Sequence, residues 1–118
     1  MNTVSLGSDG EDLAVEFLKK KDYKILAKNY KTFIGEIDIV AKDGDTIVFV
    51  EVKTRANDAF GSPFEAVNKG KRQKLKNLAL FFLKRHRQET PARFDVISVV
   101  QMRDGKKAIE HIIDAFEV

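Results

Sequence analysis

The sequence predicts an α/β fold with a mixed central β-sheet, a helix on each face, and the element order αβββαββ. Three observations carry this. Gly35 to Arg55 reads as two alternating arms rich in Ile, Val and Phe around a central Asp43-Gly44, a strong short-range hairpin signal. Two stretches with helical apolar spacing flank the hairpin and its preceding strand, near residues 8–21 and 63–87. Two further apolar runs, Arg93 to Met102 and Ala108 to Ile113, follow the second helix.

The chain has 118 residues, which suits a single domain over 1–118. Residues 1–6 have little to anchor them. Ser8-Asp9-Gly10-Glu11 has the form of a capping box opening the first helix. Leu13, Ala14, Phe17 and Leu18 make its apolar stripe. Tyr23 to Tyr30 alternates imperfectly, as an edge strand does. After the hairpin, Ala56 to Gly61 reads as a loop that could contact substrate with Arg55, Asn57 and Asp58. Ser62-Pro63-Phe64-Glu65 is a second capping box, with proline in the first helical turn. Gly70 marks a kink or break in the helix that follows. Leu75, Leu78, Ala79 and Phe82 are its buried stripe, and Pro91 closes the helical region.

Formal charge is +3 and the pI about 9.1, a mildly basic balance compatible with nucleic acid. The absence of cysteine excludes disulfides, thiolate zinc sites and a cysteine nucleophile. It fits a cytoplasmic location. No signal peptide is visible, and the longest apolar run, Leu78 to Leu83, is far short of a membrane span. There is no glycine-rich phosphate loop. A Ser-His-Asp hydrolase is disfavoured because neither His86 nor His111 falls near a marked serine.

The hairpin decides which side chains meet. With Asp43-Gly44 as a two-residue loop, Lys42 faces Asp45, Val40 faces Ile47, Asp38 faces Phe49 and Glu36 faces Glu51. Side chains two apart share a face. One face then carries Ile37, Ile39, Ala41, Val48, Val50 and Val52. The other carries Glu36, Asp38, Val40, Ile47, Phe49, Glu51 and Lys53. Three carboxylates and one ammonium converge on paired strands, where like charges destabilise a sheet and burial of unpaired charge costs more still. A hard divalent metal with oxygen ligands would supply the missing positive charge. The bland alternative is a surface salt-bridge network, which would contribute little.

Asp38 with Glu51-Val52-Lys53 matches the D-x(n)-E-x-K signature of the restriction-endonuclease-like nucleases. A longer ordered set spans most of the chain: Gly10-Glu11, Asn29, Gly35-Glu36-Ile37-Asp38, Phe49 to Arg55, Phe60-Gly61 and Arg93-Phe94-Asp95. It resembles the small bacterial YraN-like proteins, a branch related to Holliday-junction resolvases. The resemblance implies a restriction-endonuclease-like core and a DNA endonuclease selective for branched or structured DNA, with a role in repair or recombination. It also implies a homodimer, because symmetric junctions need paired cuts. Glu11 has two readings: a helix cap, or, from the resemblance, a fourth acidic group reaching the metal site.

In that frame Mg²⁺ or Mn²⁺ would be held by Asp38 and Glu51, with the Val52 carbonyl as a third ligand and Glu36 ligating directly or through water. Lys53 would orient or deprotonate the attacking water, or neutralise charge developing at phosphorus. Lys69, Lys71, Arg72, Lys74 and Lys76 lie close together without an intervening acid, with Gln73 among them. They form a candidate phosphate-contacting patch alongside Arg55. Asp95 is read as a structural salt bridge to Arg93, Arg55 or a lysine. A DNA-binding module on a nuclease scaffold with weak or lost catalysis, and a subunit whose site is completed by a partner chain, are the competing functions.

Overall fold

The computed structural model describes residues 5–55, 69–86, 90–102 and 104–116. Its elements run α1 (Ser5–Lys20), β1 (Lys24–Lys31), β2 (Glu36–Asp43), β3 (Thr46–Arg55), α2 (Lys69–Arg85), β4 (Ala92–Gln101) and β5 (Lys107–Phe116). The five strands form one mixed sheet in the order β1-β2-β3-β4-β5. β1–β2, β2–β3 and β4–β5 are antiparallel, and β3–β4 is parallel across the α2 connection. Parallel neighbours need such a crossover.

The strand alternation gives the sheet two packed faces. On one, Val40, Ile47, Phe49, Phe94 and Val96 bury against Leu75, Leu78, Ala79 and Phe82 of α2. On the other, Ile39, Ala41, Val48, Val50, Ile97 and Val99 bury against Ala14, Val15 and Leu18 of α1. Both helices therefore show the stripes expected from their spacing. β3 and β4, buried on both sides, are the most continuously apolar strands.

Several local expectations are corrected. The hairpin loop is Gly44-Asp45, with Asp43 opposite Thr46, rather than Asp43-Gly44. Gly44 has φ 59° and Asp45 does not share the positive φ. A glycine at the first central position is what a type II′ turn demands. This moves every pairing by two, so Val40 faces Phe49 and Lys42 faces Ile47. By side-chain period alone a shift of two would leave Asp38 and Glu51 on one face, but no β2–β3 pair beyond Ile39–Val50 holds them there. Ile37 joins the α2-side core instead of following Ile39. The β2–β3 ladder ends at the Ile39–Val50 pair, and beyond it β2 follows β1 alone.

The first capping box does not start its helix, because α1 already runs from Ser5 through Ser8, Asp9 and Gly10. Adding residues to a nucleated helix is cheap, and Gly10 has a packing reason to lie inside it. A Cβ there would come 2.0 Å from Thr54 Cγ2. The bare backbone is what lets α1 lie close over the end of β3. The described helix α2 begins at Lys69 with Gly70 in its first turn, so the expected kink or break at Gly70 falls at the limit of the described residues. The second capping box, Phe60-Gly61, Asn57 and Asp58 lie outside the described residues.

Candidate active site

The site forms where β2 and β3 part. Continued by one pair, their register would set Asp38 across from Glu51. The Asp38 carboxylate instead accepts the Val52 N–H at 2.8 Å, so a side chain ends the backbone ladder. Val52 itself is half-buried and packs on the α1-side core, with its N–H engaged by Asp38.

Three carboxylates meet here. Glu11 from α1, Glu36 from the start of β2, and Asp38 each place an oxygen within 4.8 Å of the others. Gly10 lets the first of these approach, and the β2 end supplies the other two. Mutual repulsion of this kind is held in place only by the fold. Its effect falls on Asp38, whose acid is pushed up to about 7, first by burial and then by the Glu51 charge, with Glu11 and Glu36 adding to it. The Val52 N–H pulls the other way.

Glu51 stands outside that trio. It is buried, with 7% of its surface exposed. Its Oε1 lies 3.3 Å from Lys53 Nζ and also receives Lys71 Nζ from α2. The two lysines are held differently. Burial and the adjoining Lys71 lower the Lys53 ammonium. Burial is the largest single influence on Lys71 and lowers it, but hydrogen bonding with Glu51 and Lys53 and the charges of Glu51 and Asp38 together outweigh that and raise it. One ammonium is thus kept charged while its neighbour is pushed towards the neutral amine. Oxygen donors from Glu11, Glu36 and Asp38 are the ligand type that Mg²⁺ or Mn²⁺ takes, and the residues present fit such an ion.

The basic patch on α2 is split by the structure. Lys71 turns into the acidic cluster. Lys74 lines, with Glu36, Gly70, Lys71, Leu75 and Leu78, an open cleft of about 330 Å³ beside it. Arg72 leans the other way, over the Phe116 ring at 5.6 Å. Gln73 is exposed and hydrogen-bonds Asn77 along the helix at 3.3 Å. Lys69 is the first described residue of α2, and Arg55 the last of β3, in register with Val100 of β4.

The sequence does not mark Ser98, and it marks Lys71 without its contact to Glu51. Lys71 was placed with phosphate contacts, and only the helix packing brings it to Glu51. Ser98 is 1% exposed, in register with Lys53 across β3–β4, and its hydroxyl has no hydrogen-bond partner among the described residues. No local pattern marks it, since a serine in a strand is usually unremarkable.

Asp95 lies on the opposite sheet face, where its side chain is fully buried. It accepts from Arg93 Nε at 3.0 Å, His111 Nε2 at 2.7 Å and the Asp114 N–H at 3.0 Å. Arg93 also reaches Asp43 at 3.0 Å and the Tyr23 hydroxyl at 2.6 Å. The expected salt bridge is present, to Arg93, and His111 joins it.

The family described as "Uncharacterised protein family UPF0102" matches residues 10–99. The chain belongs to the UPF0102 family. A UPF0102 protein of Thermodesulfovibrio yellowstonii is 51% identical over 116 residues, covering 98% of this chain and 99% of its own. One from Clostridioides difficile is 48% identical over 117 residues, covering 98% and 100%. One from Geobacter metallireducens is 49% identical over 119 residues, covering 100% and 97%. UPF0102 is the YraN-like family that the ordered motif set resembles. The family match begins at Gly10, beside Glu11, and extends through β2 and β3 to Val99, so it takes in the acidic cluster and both lysines. Among the described residues, no helix is long and apolar enough to cross a membrane.

Proposed function

We propose that the chain is a divalent-metal-dependent DNA endonuclease with a restriction-endonuclease-like core, acting on branched or structured DNA in repair or recombination. The observation that supports this most is the junction of β2 and β3, where Asp38, Glu36, Glu11 and Glu51 gather with Lys53 and Lys71. Glu11, Glu36 and Asp38 would hold Mg²⁺ or Mn²⁺, with Glu51 at its edge. A bound divalent ion would polarise the phosphate and acidify water.

The chain's own groups supply the rest. Lys53, half-buried and lowered, is suited to take a proton from the attacking water. Lys71 keeps its charge and can offset the negative charge that builds at phosphorus. Lys74 and the cleft beside Glu36 offer a place for the flanking backbone phosphate.

A cleavage assay tests the reading. The protein is offered a four-way junction, a flap, duplex and single-stranded DNA with Mg²⁺, Mn²⁺ or chelator. Metal-dependent cutting that Asp38→Asn abolishes, with binding kept, is the expected result. Binding without cutting under either metal would move the chain to the second reading, a DNA-binding module. That alternative has one observation of its own: Glu51 already has two ammonium partners.

A further inference from the structure

Phe33 is 89% exposed, far more than any other large apolar side chain among the described residues. It does not sit on a loose loop. The Thr32 N–H donates to the Gly35 carbonyl at 2.8 Å, and the Gly35 N–H donates back to Thr32 at 3.2 Å. The Ile34 N–H is taken by Thr32 Oγ1 at 3.0 Å, while Ile34 packs on the α2-side core. Lys31 and Glu36, one residue beyond each end, are paired across β1–β2. The turn is pinned through Ile34, and Phe33 is presented outward. Its ring meets Phe81 of α2 edge-to-face, with centroids 5.8 Å apart and planes at 86°. One face of an aromatic ring held at a fixed angle is a stacking platform.

We infer that Phe33, braced by Phe81, stacks an unpaired nucleobase of the DNA strand bound at the acidic cluster; this rests on the nuclease reading for the identity of the strand. The surroundings favour this occupant. The helix carrying Phe81, Lys69–Arg85, contains no Asp or Glu. Lys74 lies across the same turn, with its Cε 2.8 Å from where a Gly35 Cβ would be. A partner that brings a flat apolar face on a polyanion matches an exposed ring in a basic setting. A second copy of the chain does not, because it carries net charge +3 and would oppose one basic helix to another. Phe33 is three residues from Glu36, so their Cα atoms are at most about 11 Å apart. The stacked base therefore belongs to a nucleotide close to the bond held at the cluster. A base inside a duplex has no free face to offer, so the platform selects unpaired nucleotides at flaps, junctions or single-stranded tails.

The test uses binding in chelator, so that it does not depend on cutting. The chain has no tryptophan, so Phe33→Trp introduces a sole reporter. Its emission is expected to be quenched by oligodeoxythymidine and not by a blunt-ended duplex. Phe33→Ala is expected to weaken oligodeoxythymidine binding by about tenfold while the salt dependence of binding keeps its slope. Phe33 is so exposed that folding is not at risk, and Phe81→Ala gives a milder loss. Equal affinity of wild type and Phe33→Ala without quenching overturns the platform. So does a concentration-dependent dimer that Phe33→Ala dissolves while nucleic-acid binding is untouched. If the protein cuts structured DNA and Phe33→Ala cuts and binds equally well, only the platform falls. If oligodeoxythymidine binds through Phe33 and nothing is cut, only the nuclease reading falls. Absence of any DNA binding removes both.

Discussion

Lys53 of β3 and Lys71 of α2 converge on the same oxygen of Glu51, Oε1. An ion approaching Glu51 must compete with both ammoniums. Lys71→Met removes one competitor and keeps most of the side chain's packing. It is expected to tighten Mn²⁺ binding by about fivefold, the worth of a half-buried ion pair of about 1 kcal/mol. The same change should lower DNA cleavage, because the charge facing the phosphate is lost. Titration calorimetry with Mn²⁺ and a cleavage time course read the two effects separately. Unchanged or weaker metal affinity would remove Glu51 from the ion's surroundings.

Asp38 titrates where few carboxylates do. Its acid is raised to about 7 by burial and then by Glu51, from an ordinary value of 3.8. The folded protein therefore binds an extra proton between these limits. The stability this represents is fully present below pH 3.8 and is lost as pH rises through 7. In the metal-free protein, urea melts are expected to weaken from pH 5 to pH 8, by roughly 1–3 kcal/mol at Asp38 after allowing for solvent screening. Asp38→Asn should flatten that slope and be the more stable protein at pH 8. Mg²⁺ or Mn²⁺ should restore stability to the wild type at pH 8 and not to the variant.

The architecture was legible because it depends on periodicity. The alternation of β2 and β3, the stripes Ala14–Leu18 and Leu75–Phe82, and the helix between parallel strands all follow from residue spacing. Moving the loop by one residue moves each pairing by two, which by itself would keep every side chain on its expected face. The face expected to be shared by Asp38 and Glu51 is not carried by the ladder, which stops at Ile39–Val50: Ile37 turns to the α2-side core, Asp38 clusters with Glu11 of α1, and Glu51 meets Lys71 of α2. The contact of Lys71 with Glu51, and the alignment of Ser98 beside Lys53, were not legible. They come from how a helix lies on a sheet and how two strands align, and neither leaves a trace in local sequence. Glu11 could be read as a cap or as a site residue, and its place among three clustered carboxylates depends on α1 packing.

Gly10 offers a test of that packing. Alanine in mid-helix should favour α1 by up to about 1 kcal/mol. Here its Cβ would fall 2.0 Å from Thr54 Cγ2, so the helix must move away from β3. Gly10→Ala is expected to be net destabilising by about 1–3 kcal/mol and to lower metal affinity by displacing Glu11. Thr54→Ser deletes Cγ2, and the next atom is Thr54 Cβ at 3.4 Å. The double variant should therefore recover most of both losses. Additive effects of the two substitutions would show that the close approach is not what requires glycine.

Asp95 should matter for stability and not for chemistry. Burial alone would raise its acid, but hydrogen bonds from His111, Arg93 and the Asp114 N–H outweigh this and hold it below the usual carboxylate value. Its contribution is accordingly present above about pH 3.8 and lost only as pH falls through that lowered value. Lys21 Nζ lies 2.9 Å from His111 Nδ1, and Nε2 on the other side of the ring lies 2.7 Å from Asp95 Oδ2. Asp95→Asn removes the charge that balances Arg93 and, since each carboxylate oxygen takes two donors, forces two of them to face an amide N–H. A loss of about 3 kcal/mol is expected at neutral pH, read as a lower urea midpoint with an unchanged slope. The network lies on the α1 face, against Tyr23 and Phe17, whereas Glu51 meets Lys71 on the α2 face. DNA binding by the variant, measured where it remains folded, should stay within about twofold of wild type. A fall in binding without a fall in stability would mean that the two faces of the sheet are coupled through Asp95.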